Sequence, residues 1–288
     1  MMALRAGFIG LGNQGKPIAL NLVAAGFPTA VFDLAPAPLA ELSAAGAKAA
    51  ASPREVAERS DVICLCVPED RHVREVMAGA HGVLAGAARG AVVAIHSTIL
   101  PDTALALAAE AAGRGVEVLD ACVTGGAARA AQKQLTFLVG GSLQALERAR
   151  PLFEASGSAI IHAGAVGNGA KLKLCLNLIT YLQWAAAFES FALARAVGLP
   201  QELLEEAGRA NGQLTPLMQA FLALHKAPES ARKSDGMQAL LRGYMQVAEK
   251  DLAWALELAR RAGVSLPVGG LVAQQMARIY GVADEGRR

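Results

Sequence analysis

Aromatic residues make up only 5% of this chain, and its formal net charge is only +2. A nucleic-acid binder usually shows a concentrated basic face with aromatic rings for base stacking; the basic residues here are scattered and supply neither. Cysteine is scarce as well. Cys64, Cys66, Cys122 and Cys175 sit in apolar stretches, with no second Cys or His pair at a zinc-like interval. That pattern argues for buried free thiols in a reducing cytoplasm and against a metal site. No uninterrupted apolar run of about 20 residues occurs, because Asn, Gln, Thr or Gly breaks each charge-free stretch, so no membrane span is expected. The chain passes from Met1 to the strand-like AGFIG within a few residues, so no signal peptide is expected either.

What the chain does have is apolar bulk. With 53% hydrophobic residues in 288, it can build one large or two ordinary domains around a real core. Residues 5–9 read as a short buried strand, and GLGNQG follows at once, with a helix beginning near Lys16-Pro17. Gly10, Gly12 and Gly15 carry the GxGxxG spacing, with Leu11, Asn13 and Gln14 between them. Such glycines allow a tight turn, close approach of a pyrophosphate and tight helix packing, and the phosphate rests on the helix N-terminus. The next strand, TAVFD, ends in Asp33. An acid there accepts the ribose hydroxyls of adenosine and repels a 2′-phosphate. Leu34, Ala35 and Pro36 bring no arginine beside it, so NAD is favoured and NADP stays open.

The alternation continues with helices near 37–45 and 53–59, a strand over 61–67, a helix after Pro68, and strands over 91–95, 116–121, 135–139 and 159–163. Strands alternating with helices predict a doubly wound, mostly parallel sheet over residues 1–163. Val67-Pro68 and His96-Ser97-Thr98 fall just past strand C-termini, where ligands of such sheets bind, although each also reads as a plain turn or cap. From residue 164 onward everything reads helical, over 170–197, 200–210, 214–223, 237–262 and 266–280. The polar stretch 225–236, broken by Pro228, reads as a surface loop. The prediction is an α/β domain followed by an all-helical one over 164–288, joined by a long interdomain helix.

That helix opens on GAVGNGAKLKLCLN and stays apolar on nearly every side, which predicts a helix buried all round. Lys173, Asn177 and Thr180 nevertheless recur at i, i+4 and i+7 and form one polar stripe. Lys171 lies off the stripe and reads as a solvated lysine at the helix end. A lysine on a buried face loses hydration, which lowers its pKa toward the range useful for moving protons. A structural ion pair would hold such a lysine equally well.

Four motifs in order resemble the β-hydroxyacid dehydrogenase family, which includes 3-hydroxyisobutyrate dehydrogenases and tartronate semialdehyde reductases. They are GFIGLGNQGKPIALNL at 7–22, DACVTGGAARAAQKQL at 120–135, GAVGNGAKLKLCLN at 164–177 and KDLAWALELA at 250–259. The resemblance covers nearly the whole chain. It implies a Rossmann-type domain like that of 6-phosphogluconate dehydrogenase, and hydride transfer between NAD(P) and a small β-hydroxy acid or semialdehyde. It makes Lys173 the catalytic lysine and Asn177 its partner, with Thr124, Gly125 and Gly126 holding the substrate carboxylate. Gly10, Leu11, Gly12, Asn13, Gln14, Gly15, Asp33, Val67, Pro68, Thr98 and Lys250 would line the cofactor, and Asp251 would support the site. An imine reductase-like NADP enzyme and a non-catalytic dinucleotide-binding module remain the rival readings.

The chain departs from the family pattern at several positions. Gln14 stands where the family usually has Met and Cys122 where it has Pro, while Arg129 and Lys133 replace small residues in the substrate loop. One of those two charges would meet a second anionic group on a substrate or fence a larger one, or else both simply face solvent. The abundant alanine and the apolar helical half predict a homodimer or homotetramer.

Overall fold

A computed structural model describes residues 3–283. Its first half is built on one eight-stranded sheet: β1 Ala6–Ile9, β2 Thr29–Phe32, β3 Lys48–Ala49, β4 Val62–Leu65, β5 Val92–Ile95, β6 Glu117–Thr124, β7 Leu135–Gly140 and β8 Gly157–Gly164. The order across the sheet is β3-β2-β1-β4-β5-β6-β7-β8. The helices between strands are α1 Gly15–Ala24, α2 Pro36–Ala44, α3 Pro53–Glu58, α4 Asp70–Ala78, α5 Val83–Gly86, α6 Pro101–Ala112, α7 Gly126–Ala131 and α8 Leu143–Glu154. Strands β1, β4 and β5 are buried at every position, as both-face coverage by helices requires. One apolar cluster around Phe8, Ile18, Phe137 and Phe153 covers one face, and another around Ile9, Val73, Ile95 and Leu107 covers the other.

All pairings are parallel except β6 with β7. The reason is chain length. A parallel crossover needs a dozen or more residues, and the connection from β6 to β7 holds only the six-residue α7 and its flanks. The chain therefore turns back, and β7 and β8 run against the rest.

The second half is helical, with α9 Asn168–Ala196, α10 Gln201–Ala210, α11 Pro216–Lys226, α12 Glu229–Arg232, α13 Asp235–Arg261, α14 Pro267–Ala273 and α15 Met276–Tyr280. The chain divides into two compact units, one ending at Lys173 and one beginning at Leu174, within α9. The second unit has its own core, centred on Tyr181, Phe191, Phe221, Met245 and Met276.

Three sequence expectations need correction. The polar stretch 225–236 is no plain loop: α11 runs through Lys226 and a short helix, α12, follows. Pro228 sits at the N-cap of α12, where its missing N–H costs nothing. The segment 266–280 breaks into two helices rather than one. Most consequentially, α9 is not buried all round. Lys171, Cys175, Ile179 and Leu193 are exposed along it, so Cys175 is also not the buried thiol expected. Hydropathy counts apolar residues whichever way they face, and α9 leaves one apolar side uncovered within this chain.

Candidate active site

The glycine loop joins β1 to α1. Gly10 has φ +92°, and a Cβ there would lie 2.3 Å from the Cys66 carbonyl oxygen. At Gly15 a Cβ would fall 1.9 Å from the Gly10 oxygen, so both positions exclude a side chain. Gly12 is exposed, with nothing within 4 Å of where its Cβ would be, which leaves open backbone for a ligand to approach. Leu11 is buried beneath the loop and Asn13 is exposed. The Gln14 side chain caps nothing at the start of α1, and its Nε2 is buried without a hydrogen-bond partner among the described residues.

Asp33, at the end of β2, ties this loop down. Its Oδ2 accepts from the Leu11 amide at 2.6 Å and its Oδ1 from the Ala35 amide at 2.7 Å. Beside it, past β4 and β5, the Val67 amide donates to Ser97 Oγ at 2.8 Å, Pro68 is exposed and Thr98 is half-buried. These residues share the C-terminal edge of the parallel strands. A loop edge of this kind, glycine-lined and closed by an acid, fits a dinucleotide.

His96 behaves differently from its loop neighbours. It turns into the core, 3% exposed, among Phe8, Phe137 and Phe153 at ring-centroid distances of 6.0, 5.4 and 5.6 Å. Its Nδ1 lies 2.8 Å from the Ala121 carbonyl, which can only accept, so Nδ1 carries the proton. Nε2 is buried without a partner among the described residues, and burial pushes the imidazole pKa down to about 4.

Strand β6 delivers the proposed substrate loop. Thr124 ends the strand, and Gly125 and Gly126 follow with φ +128° and +73°, a left-handed backbone that favours glycine. Arg129 folds its stem back over this turn: its Cβ and Cδ lie 3.1 and 3.2 Å from where a Cβ on Gly125 would be. Lys133 is exposed in the left-handed region at φ +58°, a conformation that favours glycine.

Four residues before Thr124 on the same strand is Asp120, with no exposed surface. Its Oδ1 accepts from the Gly167 amide at 2.8 Å and its Oδ2 from the Ala170 amide at 2.7 Å, both at the opening of α9. Burial pushes its carboxyl pKa up, while the amides of Ala170, Gly167 and Gly169 oppose that rise. Lys173 follows within the same turn of α9 and is 8% exposed. Lys171 points outward to Asn168 Oδ1 at 3.1 Å.

One turn further along α9, in the helical unit, Asn177 is 7% exposed. Its Nδ2 donates to Asp251 Oδ2 at 2.6 Å, and the Tyr181 hydroxyl donates to the same oxygen at 3.2 Å. Asp251 is 2% exposed, and Lys250 Nζ lies 3.1 Å from its Oδ1 and 4.2 Å from the Trp254 ring centroid. Burial and the Asp251 charge hold the Tyr181 hydroxyl protonated well above its usual range. With Nδ2 committed to Asp251, Asn177 has its carbonyl oxygen left as an acceptor. Thr180 leaves the expected polar stripe, since its hydroxyl donates to the Leu176 carbonyl of its own helix at 3.1 Å. A helical β-hydroxyl commonly back-bonds to the carbonyl one turn before it, and spacing alone does not reveal it.

Sequence reasoning missed Asp120 and Tyr181. Asp120 did leave a signal, a charge inside the apolar run VLDACV, where a carboxylate needs partners. Tyr181 left none, because in sequence it is one more large residue on an apolar face.

Comparison with known proteins bears on this geometry. Residues 5–164 match the family described as the NAD binding domain of 6-phosphogluconate dehydrogenase. Residues 167–287 match the one described as NAD-binding of NADP-dependent 3-hydroxyisobutyrate dehydrogenase. The chain is 40% identical over 268 residues to the NAD-dependent L-serine dehydrogenase of Pseudomonas aeruginosa, covering 92% of this chain and 88% of that one. It belongs to the β-hydroxyacid dehydrogenase family. The 3-hydroxyisobutyrate dehydrogenase of the same organism is 34% identical over 281 residues, 96% of this chain and 92% of the relative. Among solved structures, Mycobacterium tuberculosis 3-hydroxyisobutyrate dehydrogenase with L-serine superposes with a TM-score of 0.79 at 30% identity, over 97% of this chain and 94% of that one. This chain is thus an NAD(P)-dependent β-hydroxyacid dehydrogenase of the 3-hydroxyisobutyrate dehydrogenase type.

Proposed function

We propose that this dehydrogenase moves a hydride between NAD and a small β-hydroxy acid or its semialdehyde, with Lys173 as general acid and base. The observation that carries the reading is the burial of Lys173 and Asn177 one helical turn apart, on a helix whose other face is exposed. Buried amines and amides are retained where they have work or partners. The nicotinamide supplies or accepts the hydride when bound. Lys173 Nζ takes the hydroxyl proton during oxidation and returns one to the nascent alkoxide during reduction. Asn177, held by Asp251, presents its carbonyl oxygen to the same hydroxyl, while Thr124 and the amides of Gly125 and Gly126 receive the carboxylate. Gly10 to Gly15, Val67, Pro68, Thr98 and Lys250 hold the cofactor, and Asp33 selects NAD through the ribose hydroxyls. The four cysteines are thiols rather than disulfides, which suits a reducing cytoplasm.

The direct test is a panel of hydroxy acids, L-serine and 3-hydroxyisobutyrate among them, read at the nicotinamide absorbance with NAD and with NADP. The expected result is turnover of at least one with NAD well above NADP; no turnover of any, or a preference for NADP, overturns the respective part. In the same panel Arg129→Gly is expected to shift preference away from substrates with a second anionic group. An unchanged ranking would make Arg129 a solvated charge.

The open side of α9 supports a homodimer or homotetramer. Ile179 and Leu193 on it, and Val197 just past its end, are 53, 65 and 62% exposed, an apolar stripe that a second copy would cover. Light scattering is expected to give two or four chains, and Leu193→Glu is expected to shift the population toward the monomer. A wild-type monomer would reject the assembly.

A further inference from the structure

Asp120 and Thr124 share one strand, and the carboxylate of Asp120 reaches the opening of α9 three residues before Lys173. A helix leaves its first amides without intrahelical acceptors, and ordinarily a local Ser, Thr or Asp takes them. Here the acceptor comes from a strand distant in sequence. Two glycines make the contact close enough. At Gly169 a Cβ would lie 2.2 Å from the Asp120 carbonyl oxygen, and at Gly140, on β7, it would lie 2.5 Å from Asp120 Oδ1. Any side chain at either position pushes α9 off the sheet. With α9 seated this closely, both carboxylate oxygens accept from its opening amides, Oδ1 from Gly167 and Oδ2 from Ala170.

We infer that Asp120 is a positioning residue for the reaction: it clamps the first turn of α9 to β6 and so sets Lys173 in register with the Thr124 loop on the same strand. This rests on the proposed role of Lys173. A buried carboxylate is a costly way to cap a helix, and a neutral acceptor would suffice for stability alone. What the charge adds is stiffness, because two charge-assisted bonds to amides three residues apart fix both the rotation and the height of the helix end. A general acid displaced by about 1 Å loses on the order of 100-fold in rate, so small slack here reaches the chemistry.

The test is Asp120→Asn, alone and combined with Lys173→Ala. The amide keeps one acceptor and turns an N–H toward the other helix amide, so the clamp loosens without a change of volume. Asp120→Asn is expected to lower kcat about 100-fold, with the dissociation constant for NAD within about threefold of wild type. On the Lys173→Ala background it is expected to cost nothing further, since a lysine that is absent cannot be misplaced. Undiminished kcat, a parallel loss of NAD binding, or an equal loss on both backgrounds would each overturn the inference. Should the variant not fold, hydrogen exchange on the wild type decides: slow exchange at Gly167 and Ala170 supports the clamp, and exchange at free-loop rates refutes it. The two readings fail separately, because full activity in Lys173→Ala removes the proposed catalyst, whereas an inactive Lys173→Ala beside an active Asp120→Asn removes only the clamp.

Discussion

Replacing Lys173 with alanine is expected to lower turnover by about 10² to 10⁴-fold, the range that a positioned general acid and base contributes. Binding of NAD should persist, because the loop from Gly10 to Gly15 and the acid at Asp33 stand apart from α9 in sequence and are held by their own contacts, Leu11 to Asp33 among them. Lys173→Arg separates two roles that alanine removes together. Arginine keeps a positive charge but does not release its proton in proteins, so a lysine that acts only by its charge would be partly restored. The expected result is no restoration. Steady-state rates with the best substrate of the panel, together with titration of NAD binding, measure both arms, and near-normal rates in Lys173→Ala would refute the assignment.

Acid is expected to destabilise the dinucleotide-binding half through His96. In the folded chain burial holds this imidazole at about 4, against an ordinary value of 6.5. Between those values the unfolded chain binds a proton that the folded one refuses, so stability falls as pH drops from about 6.5 to about 4 and the loss levels off below. The shift corresponds to about 3 kcal/mol at full extent. At neutral pH and above His96 contributes no pH dependence, because both states are then unprotonated. His96→Asn keeps an N–H for the Ala121 carbonyl and cannot titrate, so its denaturation midpoint should lose this part of the acid slope. A wild-type slope that is unchanged in His96→Asn would place the acid sensitivity elsewhere.

His96 also illustrates why only part of the site was legible in the sequence. Its position past β5 was readable, since the run AVVAI marks the strand and the ligand edge follows from the direction of the chain. Its rotamer was not, because whether a side chain at a strand end faces a ligand or the core depends on rings supplied by β1, β7 and α8. The glycine loop and Asp33 were legible for the opposite reason: their constraints are local, arising from φ angles and from one turn between neighbouring elements. Thr180 shows the intermediate case. Its spacing from Lys173 was right, yet a backbone carbonyl four residues back captured its hydroxyl.

The amino-acid order alone determined the alternation of strands and helices, the turn at Gly10, the acid at Asp33 and the recurrence of Lys173 and Asn177 on one side of a helix. Each of these follows from periods of two or of 3.6 residues and from glycine's backbone freedom, which act over a few residues. Only the tertiary structure decided the partners of Asp251, the inward turn of His96 and the seating of α9 on Asp120. Those depend on groups tens of residues apart arriving at hydrogen-bonding distance, and a pattern along the chain carries the capacity for such bonds without naming their partners.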